Sequence, residues 1–456
     1  MIGISRPDVR RVLRQPRLRH PAQYIVVGFA GAVALGTALL SLPVARAGAG
    51  TGSATPLQAL FTATSAVCVT GLTTVDTPVF WSGFGEGVIL LLIQVGGFGI
   101  MALATLLGVL VSHRLGLRTR LNAVAEANAT GISDVRRLLL AVARTSLLFE
   151  ATATVVLALR FALAYDEAPG RALWLGLFHS VSAFNNAGFA LFSDNLIGFA
   201  ADPVIAAAIC VLVVAGGLGF PVLFELRRTW RRPRTWTLHT KIVVTTTAAL
   251  LVVGALGFTA LEWTNTLGGM DTGGKAVAGV FQAVQPRTAG FNSVPSGELN
   301  PETLLLSDVL MFIGGGSAST AGGIKVTTFS LLLFVLVSEV RGDKSATAFH
   351  RRLPREAQRQ ALTVALLSVA VVVGSTGLLM LLTEFSLDQV LYEVTSAFAT
   401  VGLSTGITAQ VGTLGQLLLI ALMFVGRLGP VTLASALALR SRPRMYDLPY
   451  ERPIIG

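Results

Sequence analysis

The sequence predicts an all-α membrane protein of four span–pore-helix–span repeats. That arrangement gives eight transmembrane helices and four re-entrant pore helices around a pseudo-fourfold central pore. Three observations lead to it. The 456-residue chain is 53% hydrophobic and 13% charged, whereas a soluble protein carries roughly a quarter charged residues. Its basic residues fall in five clusters, and one glycine-containing motif recurs in each of the four intervals between them.

The apolar runs predict the spans. Runs long enough to cross a bilayer, about 20 residues, recur along the chain, and lipid-facing backbone must satisfy its hydrogen bonds within the structure, here as helix. The first run, 24–42, lacks a convincing cleavage context and therefore predicts a span rather than a signal peptide. Cys68 and Cys210 lie in apolar stretches typical of inert buried thiols. Neither they nor the five scattered histidines form a metal-binding pattern.

The basic clusters predict the topology. The positive-inside rule places all five, and both termini, in the cytoplasm of a multi-pass inner (plasma) membrane protein. Topology thus explains the net charge of +11 without nucleic acid. The clusters occupy 6–19, 113–144, 227–241, 341–359 and 440–452. The predicted segments are a basic cytoplasmic N-terminus 1–20, repeat 1 at 21–115, repeat 2 at 116–230, repeat 3 at 231–345, repeat 4 at 346–440 and a cytoplasmic tail 441–456.

A third, shorter apolar piece lies in the middle of every interval. These pieces, 55–67, 172–184, 275–285 and 388–398, are too short to span and predict re-entrant pore helices. Near their ends, four segments align without gaps: SAVCVTGL (65–72), SAFNNAGF (182–189), VQPRTAGF (284–291) and SAFATVGL (396–403). All four have glycine at the seventh position. Small residues at helix contacts are the alternative explanation, but such contacts would not recur after a half-helix in every repeat.

The recurrent glycine favours an ion filter. Four re-entrant loops around one axis would turn backbone carbonyls inward, where they replace the hydration shell of a cation. Carbonyls take that direction at backbone angles that glycine permits. The C-terminal ends of the half-helices would add negative potential at the same place.

The second spans share another pattern: VGGFG (95–99), AGGLG (215–219), IGGGS (313–317) and VGRLG (425–429). In this alignment Arg427 takes the place of Gly97, Gly217 and Gly315. The arginine would be an electrostatic pore barrier in a cation pathway, or a partner for carbonyls freed by the broken third copy. A third interpretation is an arginine that snorkels to the inner surface.

Only the third repeat interrupts its second span, with IGGGSASTAGGIK at 313–325. Its five glycines would let the backbone bend, and its hydroxyls would satisfy the freed backbone groups. We therefore predict a flexible gating loop, 313–323, across the pore just below the filter, with Lys325 facing the inner vestibule. The predicted gating residues are Gly314, Gly315, Gly316, Ser317, Ala318, Ser319, Thr320, Ala321, Gly322, Gly323 and Lys325.

Taken together, these features resemble the Trk/Ktr/HKT superfamily of potassium transporters over nearly the whole chain, most of all its KtrB-type membrane subunits. MFIGGGSASTAGGIKVTTF (311–329) is similar to that family's third-repeat intramembrane loop, and GRLGPVTL (426–433) to its fourth-repeat inner-helix motif. The resemblance implies K⁺ uptake through a filter, with K⁺ in the filter as the only metal. The implied filter residues are Val69, Thr70, Gly71, Asn186, Ala187, Gly188, Thr288, Ala289, Gly290, Thr400, Val401 and Gly402.

The resemblance also implies how the subunit is assembled and regulated. KtrB-type subunits pair as homodimers on a cytosolic KtrA ring, a nucleotide-binding regulator. This chain has no nucleotide-binding glycine-rich loop of its own. We expect no covalently bound cofactor, Na⁺ as a candidate activator, membrane lipid as a partner and no nucleic acid.

Two other classes of function remain open. A carrier coupled to Na⁺ or protons would show inverted repeats and mid-membrane acidic residues. The repeats here are parallel, and Glu150 and Glu225, the nearest acidic exceptions, are also explained by salt bridges at helix rims. A structural or receptor membrane protein would not need four filters. An enzyme is not predicted because no catalytic constellation is present, and His179 is interpreted as a packed core residue.

Overall fold

The computed structural model describes residues 21–48, 53–112, 132–343 and 345–429. The sequence predictions for segment 1–20, for the boundary at 115/116, for most of the second basic cluster and for 430–456 lie outside the described residues. Within them the regular secondary structure is almost entirely helical. One short antiparallel hairpin pairs β1 (Thr347–Ala348) with β2 (Arg351–Arg352).

Of the α-helices in the described residues, eight precede residue 230. They are α1 (Pro21–Leu40), α2 (Pro56–Val67), α3 (Thr77–Phe80), α4 (Gly83–Ser112), α5 (Ile132–Ala164), α6 (Pro169–Phe184), α7 (Pro203–Leu218) and α8 (Phe220–Thr229). Seven follow: α9 (Leu238–Leu261), α10 (Thr272–Val284), α11 (Pro301–Phe312), α12 (Val326–Val340), α13 (Arg355–Leu382), α14 (Leu387–Ala399) and α15 (Gly412–Leu428).

Three of these helices are long and apolar enough to cross a membrane: Arg136–Ala164, Leu238–Leu261 and Arg355–Leu382. A fourth span is counted if the bent pair α7 and α8 is taken as one. Their outer faces carry exposed leucines, such as Leu163 at 81% and Leu381 at 85% exposed, which suits contact with lipid. Among the described residues, length and composition therefore identify fewer spans than the eight predicted.

Helices α2, α6, α10 and α14 are short, and their N-termini are defined by local sequence. Thr55 and Gln58 form a capping box at α2, Ser386 and Gln389 form one at α14, and the Asp271 side chain accepts hydrogen bonds from two backbone amides of α10. Helix α6 begins instead with proline at its first position. Each of the four ends at the glycine-containing motif found in the sequence.

The long helices pack around these four in a cyclic order. Helix α4 contacts α6, α7 contacts α10, α11 contacts α14 and α15 contacts α2. Each short helix thus also packs against a helix of the preceding repeat, and the last repeat packs against the first. The arrangement is a closed ring, and the four motifs lie inside it.

Among the described residues, two interruptions shape the inner part of the ring, so the expectation that only the third repeat interrupts its second span was wrong. Between α7 and α8 the chain bends by 105° at Gly219, whose φ is 91°. A Cβ atom at Gly219 would also lie 2.5 Å from the carbonyl oxygen of Ser317. Glycine is therefore required there both by the positive φ and by the lack of space for a side chain. The second interruption is the segment between α11 and α12, which contains the glycine-rich stretch predicted from sequence.

Candidate functional site

The four motifs adopt the same unusual backbone conformation. In each loop the seventh residue, glycine, has a positive φ: 95° at Gly71, 70° at Gly188, 76° at Gly290 and 97° at Gly402. The fifth residue does too: 55° at Val69, 60° at Asn186, 66° at Thr288 and 51° at Thr400. A β-branched residue with positive φ is costly, so the surrounding packing must impose this conformation. Sequence reasoning anticipated the glycines but not the fifth position.

The four glycines meet in a ring. A Cβ atom added to any of them would collide with the carbonyl oxygen of the residue that precedes the next glycine around the ring. The distances are 2.4 Å from Gly71 to Ala187 O, 2.8 Å from Gly188 to Ala289 O, 2.2 Å from Gly290 to Val401 O and 2.1 Å from Gly402 to Thr70 O. The structure thus brings the four glycines and the residue before each of them into one ring, where only glycine fits at the seventh position.

Side chains inside the short helices hold these loops. The first residue of the motif is serine in three repeats: Ser65 and Ser396 each accept a hydrogen bond from the motif glycine at 3.1 Å, and Ser182 donates to the Phe189 carbonyl at 2.8 Å. The third repeat has Val284 instead. There the Gln285 side chain accepts from the backbone amide of Phe291 at 3.3 Å, so the next residue supplies the bond.

Another set of glycines, on the long helices, packs against the ends of the short ones. A Cβ atom at Gly96 would lie 1.9 Å from Val67 O, one at Gly216 would lie 2.0 Å from Phe184 O, and one at Gly426 would lie 1.7 Å from Phe398 O. Each carbonyl belongs to the third residue of the motif in the same repeat. The shared glycine of VGG, AGG and VGR in the second spans is thus explained by packing against these carbonyls, which comparison of the sequences alone did not show.

His179 in α6 is a packed core residue, as expected. It is completely buried, its Nδ1 lies 2.8 Å from the Leu175 carbonyl and its Nε2 accepts from the backbone amide of Leu191 at 3.3 Å. These partners fix the neutral tautomer with the proton on Nδ1. The imidazole therefore ties the chain that leaves the second loop back to its helix.

A buried polar network supports the second loop from the side. The Glu150 carboxylate accepts from Gln94 Nε2 and Asn185 Nδ2, each at 3.3 Å, and Asn185 also donates to Gln94 Oε1 at 2.8 Å. Glu150 is 4% exposed, so the salt bridge at a helix rim is the wrong interpretation. Glu225 likewise has no cationic partner within ion-pair distance among the described residues; threonines at the start of α9 bind its carboxylate.

The segment 313–325 is a compact loop wedged between neighbouring elements. Gly314 donates to the Ile324 carbonyl at 2.8 Å, and Val326 donates to the Gly315 carbonyl at 2.9 Å, which closes its base. Gly316 donates to the Gly217 carbonyl at 2.8 Å and so joins the loop to α7. Far from lying free, the loop is hydrogen-bonded along its length.

The loop glycines were expected to let the backbone bend, but the structure gives most of them a different cause. Of the five, only Gly323 has a positive φ, 63°. A Cβ atom at Gly314 would lie 2.1 Å from Gly322 O, one at Gly316 would lie 2.3 Å from Leu218 O, and one at Gly322 would lie 2.0 Å from the Thr400 hydroxyl. Close packing, rather than flexibility, requires these residues to be small.

The hydroxyls of the loop all bind polar groups, and Ser319 satisfies a backbone carbonyl of the loop as expected. Ser317 pairs with the Thr327 hydroxyl at 3.1 Å, and Ser319 donates to the Gly316 carbonyl at 2.6 Å. Thr320 reaches outside the loop and donates to Asn186 Oδ1 at 3.2 Å. Through Thr320 the loop touches the second filter motif.

Three basic side chains bind the loop, and the sequence analysis anticipated a role for Arg427 and Lys325 but not for Arg287. Arg427, only 4% exposed, donates through Nη1 to the Thr320 carbonyl and through Nη2 to the Gly96 carbonyl at 3.4 Å. Its burial rules out snorkelling and matches a partner for freed carbonyls. Lys325, which is half-buried, donates back to the Ala321 carbonyl at 2.5 Å, and its position facing an inner vestibule stays a prediction. Arg287, in the third filter motif, donates to the Ile313 and Gly314 carbonyls at 3.1 and 2.9 Å.

Comparisons with known proteins agree with this architecture. The family described as "TrkH: Cation transport protein" matches residues 13–443. The Ktr system potassium uptake protein B of Bacillus subtilis (strain 168) is 39% identical over 420 residues, which are 92% of this chain and 93% of that protein. The protein of the same name from Vibrio alginolyticus is 38% identical, covering 95% and 94%.

Two further relatives complete the comparison. The potassium/sodium uptake protein NtpJ of Enterococcus hirae is 33% identical over 96% of this chain and 97% of its own length. The crystal structure of the potassium transporter TrkH from Vibrio parahaemolyticus superposes with a TM-score of 0.72, covering 94% of this chain and 87% of that one, at 19% identity. This last likeness concerns the fold.

Proposed function

Because the chain belongs to the TrkH family of cation transport proteins, we propose that it is the potassium-translocating pore subunit of a bacterial K⁺ uptake system of the Ktr type. The relatives named for potassium uptake are aligned over more than nine-tenths of this chain. The family transports cations and is not a family of enzymes, so the chemistry of the site is ion dehydration and passage.

The ring of four glycines is the observation that carries this proposal. Its carbonyls belong to Thr70, Ala187, Ala289 and Val401. Three of these residues have no side-chain oxygen, which suits selection of the ion by backbone carbonyls. A K⁺ ion that loses its water needs several oxygen ligands at once. The filter residues are Val69, Thr70, Gly71, Asn186, Ala187, Gly188, Thr288, Ala289, Gly290, Thr400, Val401 and Gly402, with K⁺ as the ion held there.

The loop 313–323 is the proposed gate. It contacts the filter through Thr320 and Asn186, and Arg427 links it to α4. Opening would break these bonds and move the loop aside without unfolding a helix. Arg427 then serves both as a link that holds the closed loop and as a positive charge beside the cation pathway.

The wider assembly follows from the relatives. We propose eight spans and four pore helices in the plasma membrane, both termini in the cytoplasm and repeats bounded as predicted from the sequence. The system name of the Ktr relatives supports further components, for which we propose a homodimer on a cytosolic KtrA-type nucleotide-binding ring. The name of the Enterococcus relative, a potassium/sodium uptake protein, supports a role for Na⁺ as transported ion or activator.

Rubidium and potassium uptake in a strain deficient in K⁺ uptake tests the filter. In the Gly290→Ser variant the new Cβ atom would lie 2.2 Å from Val401 O, so the carbonyls must move and the ion preference must change. Gly374→Ser on α13 is the matched control because nothing lies within 4 Å of a Cβ atom there. If Gly290→Ser transports with unchanged K⁺ affinity and unchanged preference over Na⁺, the filter assignment is wrong.

A further inference from the structure

A large cavity lies away from the ion pathway, where α8 ends and α9 begins. Its volume is about 1210 Å³, and it is lined by α8, the turn 230–237 and the first residues of α9. Pockets that hold small ligands usually measure about 300–1,000 Å³, so the space is sufficient for an organic ligand.

Three arginines give the cavity its charge. Arg228, Arg231 and Arg232 line it and are exposed. Among the residues that the structure describes, none of them has a carboxylate oxygen within ion-pair distance. Guanidinium groups bind phosphate with paired, geometrically matched hydrogen bonds, so an unpaired cluster of this kind attracts a phosphate-bearing anion.

The carboxylate in the wall does not neutralise these arginines by pairing with them. Glu225 accepts hydrogen bonds from the backbone amide and the hydroxyl of Thr237, each at 2.7 Å, and from the hydroxyl of Thr240. These bonds fasten α8 to the start of α9 and hold the carboxylate in place. Glu225 therefore shapes the cavity and leaves the guanidinium groups available to a ligand.

The cavity also has an apolar side next to a span. Phe224 lines it, and Trp230 lines it with 63% of its surface exposed. The Arg231 guanidinium lies 4.8 Å from the centre of the Trp230 ring, which orients both groups. Helix α9, which begins at Leu238, is one of the three long apolar helices. Exposed tryptophan beside the end of a span is typical of the membrane–water interface.

We propose that this cavity binds the headgroup of an anionic phospholipid. Arg228, Arg231 and Arg232 bind its phosphate, and Phe224 with Trp230 contacts the glycerol and the first acyl carbons. Basic pockets at the ends of membrane helices suit such headgroups. An acidic surface of a cytosolic protein would also complement the arginines, but it would leave the apolar wall beside the span without a matching partner. The site lies outside the filter and the gate, so it is independent of the proposed transport function.

Native mass spectrometry of the full chain in detergent tests the proposal. The probes are phosphatidylglycerol, phosphatidylcholine and soluble glycerol 3-phosphate. At about 1 kcal/mol for each arginine near a phosphate, the triple variant Arg228→Gln/Arg231→Gln/Arg232→Gln should bind phosphatidylglycerol about 100-fold more weakly. The control Arg351→Gln/Arg355→Gln/Arg359→Gln removes three basic charges near another helix start and should bind like the wild type.

Further measurements separate the alternatives. Trp230→Ala keeps every arginine and should still weaken lipid binding, which keeps the test decisive if the triple variant folds poorly. Equal phosphatidylglycerol binding by both triple variants would overturn the proposal. The proposal would also be overturned if glycerol 3-phosphate displaced bound phosphatidylglycerol as effectively as added lipid does, because that result indicates a site for free phosphate. If the Arg228→Gln/Arg231→Gln/Arg232→Gln variant binds lipid like the wild type but no longer captures a cytosolic partner protein, the surface binds that protein instead.

Discussion

Arg427 is the most informative residue to replace, because it links the proposed gate to another repeat. In Arg427→Gln the bond from Nη1 to the Thr320 carbonyl is lost, together with the longer contact to the Gly96 carbonyl. Glutamine is too short to restore both. The closed loop then keeps its backbone hydrogen bonds but loses its charged partner.

The expected magnitude follows from one charged hydrogen bond. Such a bond contributes about 1.5–3 kcal/mol, whereas the contact to Gly96, at 3.4 Å, is too long to add much. If the bond exists only in the closed state, its loss raises the ratio of open to closed protein about 10- to 150-fold. Flux should rise accordingly until the open state predominates. The preference for K⁺ over Na⁺ should not change, because Arg427 makes none of the ring contacts.

The assay is rubidium influx into proteoliposomes at matched protein content, with Lys325→Gln as the control. Lys325 also carries a positive charge, but its bond to the Ala321 carbonyl lies within the loop and does not fasten it to a neighbour. Increased flux in Arg427→Gln and not in Lys325→Gln supports a mechanical link. An equal increase in both points to a simple charge barrier, and reduced flux in Arg427→Gln refutes the reasoning.

Two further predictions concern packing and pH. Gly96→Ala should abolish folded, active protein because the Cβ atom would lie 1.9 Å from Val67 O. The control Gly99→Ala, on the same helix, should be tolerated because its Cβ atom would lie 4.0 Å from Phe29. Equal yields of the two variants on size-exclusion chromatography would contradict this prediction. Burial alone would raise the pKa of the Asp202 carboxyl, but hydrogen bonds from Arg160, Tyr165 and two backbone amides lower it below its usual value. The ionised form therefore stabilises the fold above the unfolded-state pKa, about 3.9, and this contribution disappears as pH falls through the lower folded-state value. Melting curves from pH 6 to 3 should show a smaller loss of stability in Asp202→Asn than in the wild type, and parallel curves would exclude the effect.

The sequence predicted the position of the candidate site well, because repetition is visible without any knowledge of contacts. The motif glycines Gly71, Gly188, Gly290 and Gly402 recur at one place in four alignable segments, and the structure brings them together. The interrupted span in the third repeat was equally visible, since its glycines and hydroxyls contradict the surrounding apolar pattern. The number of spans remains a prediction from charge and hydropathy.

Other features depend on contacts between residues far apart in the chain and could not be predicted. Positive φ at Val69 contradicts the preference of valine and results from the packing of four loops against one another. Arg287 was not singled out from the sequence, because its partners, the Ile313 and Gly314 carbonyls, come from a different element. Gly316 and Gly322 looked flexible, although neighbouring backbone and side-chain atoms leave space only for glycine.

The cyclic packing of the helices has a consequence for biosynthesis. The contact between Arg427 and the Gly96 carbonyl spans 331 residues of sequence, and α15 packs against α2. At 5–20 residues per second, a ribosome needs roughly 17–66 s to make the chain between these two partners. During that time the first repeat lacks its final neighbour and offers an unfilled surface to lipid or to insertion factors. A chain truncated before α15 would leave the ring of helices open, so the four motifs can be enclosed only in a polypeptide that extends to α15.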